Sequence, residues 1–258
     1  MKMEFKITRI KAILFLLAAA LPAVSQDSAE ERFAKGAELF SAGDYSNALE
    51  EWIGLYNIGF RSAELEYNIG NACFKLNNVP GAILFYERAY LKKPSDEDIN
   101  YNLQIARTLV VDRLEEIPEL FFIRWYNYLS LLLPANNWAG ISLASFILCL
   151  VFLSLYLYTS KYKLKVSGFW LAIIALVISF SSIAFSFRNK NLVHESNKAI
   201  ILDPVVNGKS SPDASGTDLF VIHEGLKVTV VDGVGDWREI RLPDGNKGWV
   251  PENSLEVI

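Results

Sequence analysis

Residues 67–78 read Tyr67-Asn68-Ile69-Gly70-Asn71-Ala72-Cys73-Phe74-Lys75-Leu76-Asn77-Asn78, and positions in this stretch return at a distance of 34 residues. Tyr67 is matched by Tyr101, Asn68 by Asn102, Ile69 by Leu103, and Gly70 by Gly36 upstream. The same spacing relates Ala48 to Ala82, Trp52 to Tyr86, and Leu55 to Ala89. A helix-turn-helix unit of this length cannot bury its apolar face alone, so copies must stack. Stacked helical pairs make curved binding surfaces rather than reaction centres, so the period predicts a scaffold.

The spacing predicts a repeat domain over 26–116, with copies at 29–62 and 63–96. A last helix over 97–115 caps the stack, and Pro118 ends it. Gly70, Ala82 and Ala89 are small enough for close helix approach, and Tyr86 fills the space between them. Asn77-Asn78 before Pro80 supplies the turn inside the copy, and Pro94 marks the turn out of it. The quoted stretch resembles the tetratricopeptide repeat family, with the third helix as half a repeat. It departs from that pattern at Glu66, where an aromatic is usual, and at Cys73, where a tyrosine is usual. The resemblance implies a partner-binding groove lined by Tyr67, Asn68, Asn71, Phe74, Lys75, Tyr101 and Asn102, with Ile105 beside them. In the first copy it implies Phe33, Ala34, Ala37, Phe40 and Ser41. Asparagine can bond both groups of a peptide backbone, which suits binding of extended peptides. Phe33 and Ala34 stand where cations would help to clamp a C-terminal carboxylate, which argues against such a clamp. A plain solvated helix face is the alternative.

Apolar residues make up 52% of the chain, an excess concentrated at the N-terminus and between residues 137 and 187. Residues 1–25 read as a secretory signal. Lys2, Lys6, Arg9 and Lys11 precede the apolar run Ile13–Leu21, and Ala23-Val24-Ser25 suits cleavage before Gln26. An uncleaved anchor helix is the alternative. Spans are expected at 136–159 and 168–187, joined by a basic loop at 160–167 that carries Lys161, Lys163 and Lys165. Gly140 and Ala144 form a small-xxx-small pair suited to close helix contact. Ser179, Ser181, Ser182 and Ser186 are expected to bond their own backbone rather than to serve transport. Neither span holds an ionisable residue to carry protons or ions. Residues 117–135 hold Phe121, Phe122, Trp125, Tyr126 and Tyr128. They read either as a helix at the bilayer surface or as one more core helix on the repeat. Arg124, Arg188 and Lys190 offset the loop lysines, so orientation rests on the export signal. That signal places both ends of the chain outside the cytoplasm, with the loop inside.

After a linker at 188–196, residues 197–258 turn to short β-like segments at 199–202, 219–223, 227–231, 238–242 and 249–250, and Pro243–Asn246 reads as a hairpin turn. Five such strands suggest a small barrel. Val228 with Val230, and Ile240 with Leu242, alternate inward. Trp237 falls out of phase with Ile240, which places it at a bulge or over an open face. The run Gly233-Val234-Gly235-Asp236-Trp237 through Gly248-Trp249-Val250-Pro251 resembles bacterial SH3-like domains, some of which bind cell-wall peptides. The resemblance implies a ligand face at Trp237 and Trp249. Packing of both tryptophans within a small domain is the alternative. The expected fold class is therefore multidomain: an α-helical repeat, two transmembrane helices, and a small all-β SH3-like barrel.

Repeat, membrane hairpin and SH3-like module in this order resemble the BatE family of bacterial aerotolerance operons. Supporting stretches are Tyr101–Arg107 with Asp112-Arg113-Leu114, and Lys209–Gly225. The resemblance implies an inner-membrane complex with other Bat proteins and a link to oxidative-stress tolerance. No catalytic, cofactor or metal set is expected. The two histidines, His194 and His223, lie apart from Cys73 and Cys149, and Gly233-Val234-Gly235-Asp236 lacks the helix a phosphate loop requires. Residues 27–117 carry 16 acidic and 9 basic side chains, and residues 197–258 carry 10 and 6, which excludes the clustered cations of nucleic-acid binding. The expected function is a non-enzymatic scaffold with periplasmic modules that binds proteins or peptides. The rivals are a cell-wall tether that holds peptidoglycan and a redox sensor using Cys73.

Overall fold

A computed structural model describes residues 23–115, 117–118, 120–194 and 197–258. Residues 1–22, most of the expected signal segment, lie outside the described residues, as does Glu195 of the linker. The chain divides into two compact units, residues 1–61 and 62–258.

In the first unit α1 (Ala23–Ser41) packs on α2 (Tyr45–Asn57). Asp44 caps α2 by accepting the backbone N–H of Asn47, and Gly43 takes the left-handed conformation (φ 83°) that the tight connection requires. Trp52 is buried against Gly36, where an added Cβ would clash with the indole ring. The same indole N–H donates to the Phe33 carbonyl at 3.2 Å, and the rings of Phe33 and Phe40 flank it.

The second unit repeats this device. It opens with α3 (Ala63–Lys75), α4 (Val79–Lys92) and α5 (Glu97–Thr108). Ser62, Asn78 and Asp96 cap them in turn through backbone N–H groups of Leu65, Gly81 and Ile99. Tyr86 lies against Gly70, where an added Cβ would be 2.6 Å from the ring, and Ala82 and Ala89 are fully buried. Glycine and its aromatic partner thus recur one period apart, each pair within its own unit. The helix expected over 97–115 ends at Thr108. Leu109-Val110-Val111 is a poor helix continuation, and the apolar side chains that follow find a better site elsewhere. Residues 109–115 and 117–118 form a non-helical strap, with Val110 and Leu114 packed against the core of the β-sheet.

Three helices follow: α6 (Phe121–Leu131), α7 (Ala135–Tyr158) and α8 (Tyr162–His194). α7 and α8 are long and apolar enough to cross a membrane, and only 17% and 28% of their most apolar windows are buried. A core helix of a water-soluble protein would be covered on most sides. The buried positions form two seams. One runs through Ser142, Ser145 and Cys149, the other through Gly168, Ala172, Ala175, Ser179, Ser182 and Asn189. These spacings of three and four put small residues along one line of each helix. The Gly140–Ala144 pair is not in the seam: both residues are exposed, and among the described residues nothing lies within 4 Å of a Cβ built on Gly140. Gly168 is the close-approach glycine, since its added Cβ would lie 3.0 Å from the Phe152 carbonyl oxygen. The serines also depart from expectation. Ser142 and Ser179 each donate to the other's carbonyl at 3.0 Å, and Ser186 donates to the Ala135 carbonyl at 2.9 Å. A carbonyl on the facing helix competes well because the small seam brings the backbones together. The connecting turn is shorter than expected, because Lys163 and Lys165 already lie in α8. No helix breaker separates them from the span.

α6 packs on the far end of α8. Arg188 donates to Asn127 at 2.7 Å and to Ser130, Asn189 donates to the Ser130 and Leu133 carbonyls, and Phe185 stacks with Tyr126 and Trp138. Phe121, Trp125 and Tyr128 stay exposed. That arrangement departs from a core helix laid on the repeat.

Seven antiparallel strands complete the unit: β1 (Lys198–Ile201), β2 (Val205–Lys209), β3 (Asp218–His223), β4 (Lys227–Val234), β5 (Trp237–Arg241), β6 (Lys247–Pro251) and β7 (Leu255–Val257). Their sheet order is β3-β2-β6-β5-β4-β1-β7. β2 and β7 are additional to the expected five. Gly208 interrupts the apolar pattern of β2, although it is needed there because Phe220 covers it, and β7 is only three residues long. Ala199, Ile201, Val206, Ile222, Val228, Ile240 and Val250 make the core, while Val230 is only partly buried. The bulge lies between Val230 and Asp232 on β4, across from the strand that holds Trp237.

Candidate functional site

The expected groove residues come from α3 and α5. Tyr67, Asn71 and Asn102 are brought together, and each is half-buried. Asn102 donates its amide to the Tyr67 hydroxyl at 2.7 Å and to the Asn71 carbonyl oxygen at 3.2 Å. Tyr86 donates its hydroxyl to that same Asn71 oxygen at 2.8 Å. Burial pushes the Tyr67 and Tyr86 phenols up, so both remain protonated donors. Much of the amide capacity available to a peptide is therefore spent inside the protein. Asn68 and Phe74 are half-buried, and Lys75 and Tyr101 are exposed; Tyr101 retains 66% of its surface. Of the first-copy residues, Phe33 and Phe40 pack on Trp52, while Ala34, Ala37 and Ser41 are exposed.

Trp237 and Trp249 belong to one face of the sheet. Trp249 lies opposite Glu239, and Trp237 lies opposite Pro251, so the tryptophans are diagonal neighbours. Ile240, Gly248 and Val250, at the alternate positions, are buried on the other face. Both tryptophans keep part of their surface open, with Lys209 across from Trp249. They belong to the outer face of the sheet rather than to its core.

Sequence reasoning missed a set of ion pairs that joins the helices to the sheet. Glu87 is buried on α4 and accepts from Lys227 at 2.6 Å and from Arg107. Burial would raise its carboxyl, but the two cations outweigh that and hold it below the usual carboxylate range. Arg88 reaches Glu256 at 2.9 Å and the Val257 carbonyl. On the strap, Asp112 accepts the backbone N–H of His223 at 2.6 Å and meets its ring at 2.9 Å, and the Ile117 N–H donates to the Pro243 carbonyl at 3.2 Å. Glu66, in the place of a usual aromatic, is buried and paired with Lys92. Nothing in the local sequence marks Glu87 or Glu66 as buried. Only the apolar residues around Glu87, Phe85 and Tyr86 above all, hint that the position is covered.

Both cysteines are buried free thiols. Burial pushes Cys73 up to about 11, which leaves little thiolate at neutral pH. No protein-family model matches the chain, and no curated protein matches it either.

Proposed function

We propose that the chain is a non-enzymatic scaffold of a bacterial inner membrane. In this reading a tetratricopeptide-like repeat and an SH3-like module stand together on the periplasmic side and bind partner proteins or peptides. The observation that carries the proposal is the tie between the ends of the hairpin. Ser186 bonds Ala135, and Asn189 bonds Leu133, so the entry of α7 and the exit of α8 lie at one end. The polar parts before and after the hairpin then share one side of any membrane it crosses. The exposed side chains of α3 and α5, with Tyr101 and Lys75 foremost, form the partner-binding surface. The hydrogen-bonded network of Tyr67, Asn71, Tyr86 and Asn102 beneath gives that surface its shape. The resemblance to the Bat aerotolerance proteins makes other Bat proteins the partners to seek, in an oxidative-stress complex.

Cysteine labelling tests the arrangement. In a Cys73→Ala background, an impermeant maleimide added to intact spheroplasts labels Lys75→Cys and Lys247→Cys, whereas Lys161→Cys reacts only after lysis. Labelling of positions 75 and 247 from opposite compartments would sink the proposal.

The outer-face position of Trp237 and Trp249 favours a second reading, a cell-wall tether. Detergent-solubilised full chain should then sediment with purified peptidoglycan, and Trp249→Ala should not. The redox-sensor reading draws no support from the buried, high-pKa thiol of Cys73.

A further inference from the structure

The two faces of α6 meet different surroundings. Tyr126, Asn127 and Ser130 face α8, where Arg188 donates to Asn127 at 2.7 Å and to Ser130, and the rings of Tyr126 and Phe185 lie 5.2 Å apart. The opposite face carries Phe121, Trp125 and Tyr128, with Leu132 at the C-cap. Spacings of four, three and four put these side chains in one stripe along the helix. All four are exposed, and Phe121 keeps 77% of its surface. Contiguous apolar surface of this kind marks an interaction site. Arg124, beside the stripe, is the one charged residue of the helix.

The level of α6 along α8 argues for what covers the stripe. The contacts of Tyr126, Asn127, Ser130 and Leu133 gather on Phe185, Arg188 and Asn189, so α6 crosses the end of α8 instead of running down its length. There the apolar run of α8 stops: Ala184-Phe185-Ser186-Phe187 gives way to Arg188-Asn189-Lys190-Asn191. Trp138, in the first turn of α7, lies at the same level. Its ring is 4.9 Å from that of Phe185, and its indole N–H donates to the Ser130 carbonyl. On the membrane reading above, on which this step rests, that level is the boundary between acyl chains and headgroups. Tryptophan and tyrosine favour this boundary because one end of each ring system is apolar and the other polar. The stripe also continues the exposed apolar surface of the hairpin, and Arg124 can reach toward phosphates. A water-soluble partner on the same stripe would have to reach into the acyl layer. We propose that α6 is an interfacial anchor, with Phe121, Trp125 and Tyr128 sunk into the bilayer surface and the opposite face held on α8. The anchor also limits how far the sheet stands from the membrane. Ile117 is held on the Pro243 carbonyl at 3.2 Å, and the four residues from Ile117 to Phe121 reach at most roughly 14 Å.

The test places an environment-sensitive fluorophore on single cysteines of the full chain, with Cys73 and Cys149 replaced by alanine. The chain is reconstituted in vesicles of phosphatidylcholine and phosphatidylglycerol that carry a nitroxide quencher at a shallow or a deep acyl position. Labels at Trp125→Cys and Tyr128→Cys should lose most fluorescence to the shallow nitroxide, at a depth of about 15 Å from the bilayer centre, the edge of a hydrocarbon layer about 30 Å thick. Ile147→Cys, exposed near the middle of α7, should lose most to the deep nitroxide. Lys75→Cys, exposed on α3, should lose nothing to either. Absence of lipid quenching at 125 and 128, with 147 still deep, overturns the proposal. So does a depth at 125 equal to that at 147, which would make α6 part of a span. Disulfide crosslinking of Trp125→Cys between chains diluted in excess lipid would assign the stripe to a second copy and overturns it as well. If the label at 147 escapes both nitroxides, the membrane reading itself fails, so the two failures are told apart.

Discussion

The α7–α8 hairpin and the helix–sheet assembly in the same unit are built inside out with respect to each other. The hairpin buries Ser142, Ser145, Ser179, Ser182 and small apolar residues, and exposes Leu143, Phe146, Ile147, Trp170, Ile174 and Val177. The sheet buries Ile200, Ile201, Ile222 and Ile240, and its charged side chains stand mostly at the surface. Where water is the solvent, removing apolar area from it drives packing, at about 25 cal/mol per Å². Where lipid is the solvent that term vanishes between helices, and close backbone approach with interhelical hydrogen bonds replaces it. On the membrane reading proposed above, the difference reflects two solvents for one chain. It also predicts that buried polar groups matter differently in each region.

The largest effect belongs to Glu87. Its removal leaves Lys227 and Arg107 without the buried carboxylate they share; breaking a fully buried pair costs about 3–5 kcal/mol, and the cost here is smaller because Arg107 keeps 48% of its side chain exposed to screening solvent. Glu87→Gln should lower the unfolding free energy of the helix–sheet assembly by about 2–3 kcal/mol, read from the denaturation midpoint and slope of the detergent-solubilised chain. Replacing all three members with apolar residues of similar size should recover most of the loss. Acid provides a second readout. The folded pKa of Glu87 lies below its unfolded value near about 4.3, so its contribution is complete above that pH and is lost as pH falls through the folded value. Wild type should therefore lose stability on acidification more steeply than Glu87→Gln, and parallel curves would break the comparison.

Gly168→Leu comes next. A side chain there meets the backbone of Phe152 and Tyr156 at 3.0 and 3.1 Å, atoms that move only if the helices separate. Overpacking of this kind costs about 1–3 kcal/mol. It should appear as faster protease cleavage at the α7–α8 turn in micelles. The Ser142→Ala, Ser179→Ala double variant should cost less. Hydrogen bonds between membrane helices average about 0.6 kcal/mol and reach about 1.7, so losing this reciprocal pair should shift the unfolding midpoint in mixed micelles only slightly. A loss as large as that at Glu87 would mean that the hairpin interior behaves like a water-soluble core.

How much of this was legible depended on sequence distance. Gly36 with Trp52 and Gly70 with Tyr86 could be read because a period of 34 residues repeats both partners. The two apolar runs could be read because length and charge suffice to recognise them. Glu87 could not, because its partners lie 20 and 140 residues away and nothing local marks it as covered. The strap was read as helix because Val110 and Leu114 fit a helical spacing as well as they fit the sheet core they enter. The tryptophans were recognised as notable, but their common face follows from the pairing of Glu239 with Trp249, which only the fold supplies. The repeat pattern puts Asn71 and Asn102 on one surface, and the fold brings them within hydrogen-bond distance of each other. Their mutual hydrogen bonds were invisible, because single-residue reasoning assigns each amide to a ligand before asking whether a neighbour already has it.

The smallest expected effect is the sharpest test of the hairpin. The Gly140–Ala144 pair carries the sequence signature of a tight helix contact, and a contact there would make Gly140→Leu disruptive. Among the described residues nothing lies within 4 Å of the added Cβ, and both residues face outward. On the membrane reading a leucine there would meet lipid instead of a helix, and the helix interior prefers leucine to glycine by roughly 0.5–1 kcal/mol. Gly140→Leu should therefore leave the hairpin intact or stabilise it slightly, while Gly168→Leu opens it. If thermal unfolding in micelles shows the reverse order, the seam has been placed on the wrong line of α7. A loss at both positions would mean that Gly140 serves a contact with a second copy of the chain. Disulfide trapping of Gly140→Cys in a background with both Cys73 and Cys149 replaced by alanine separates these outcomes, because residue 140 can then crosslink only to a second copy of itself.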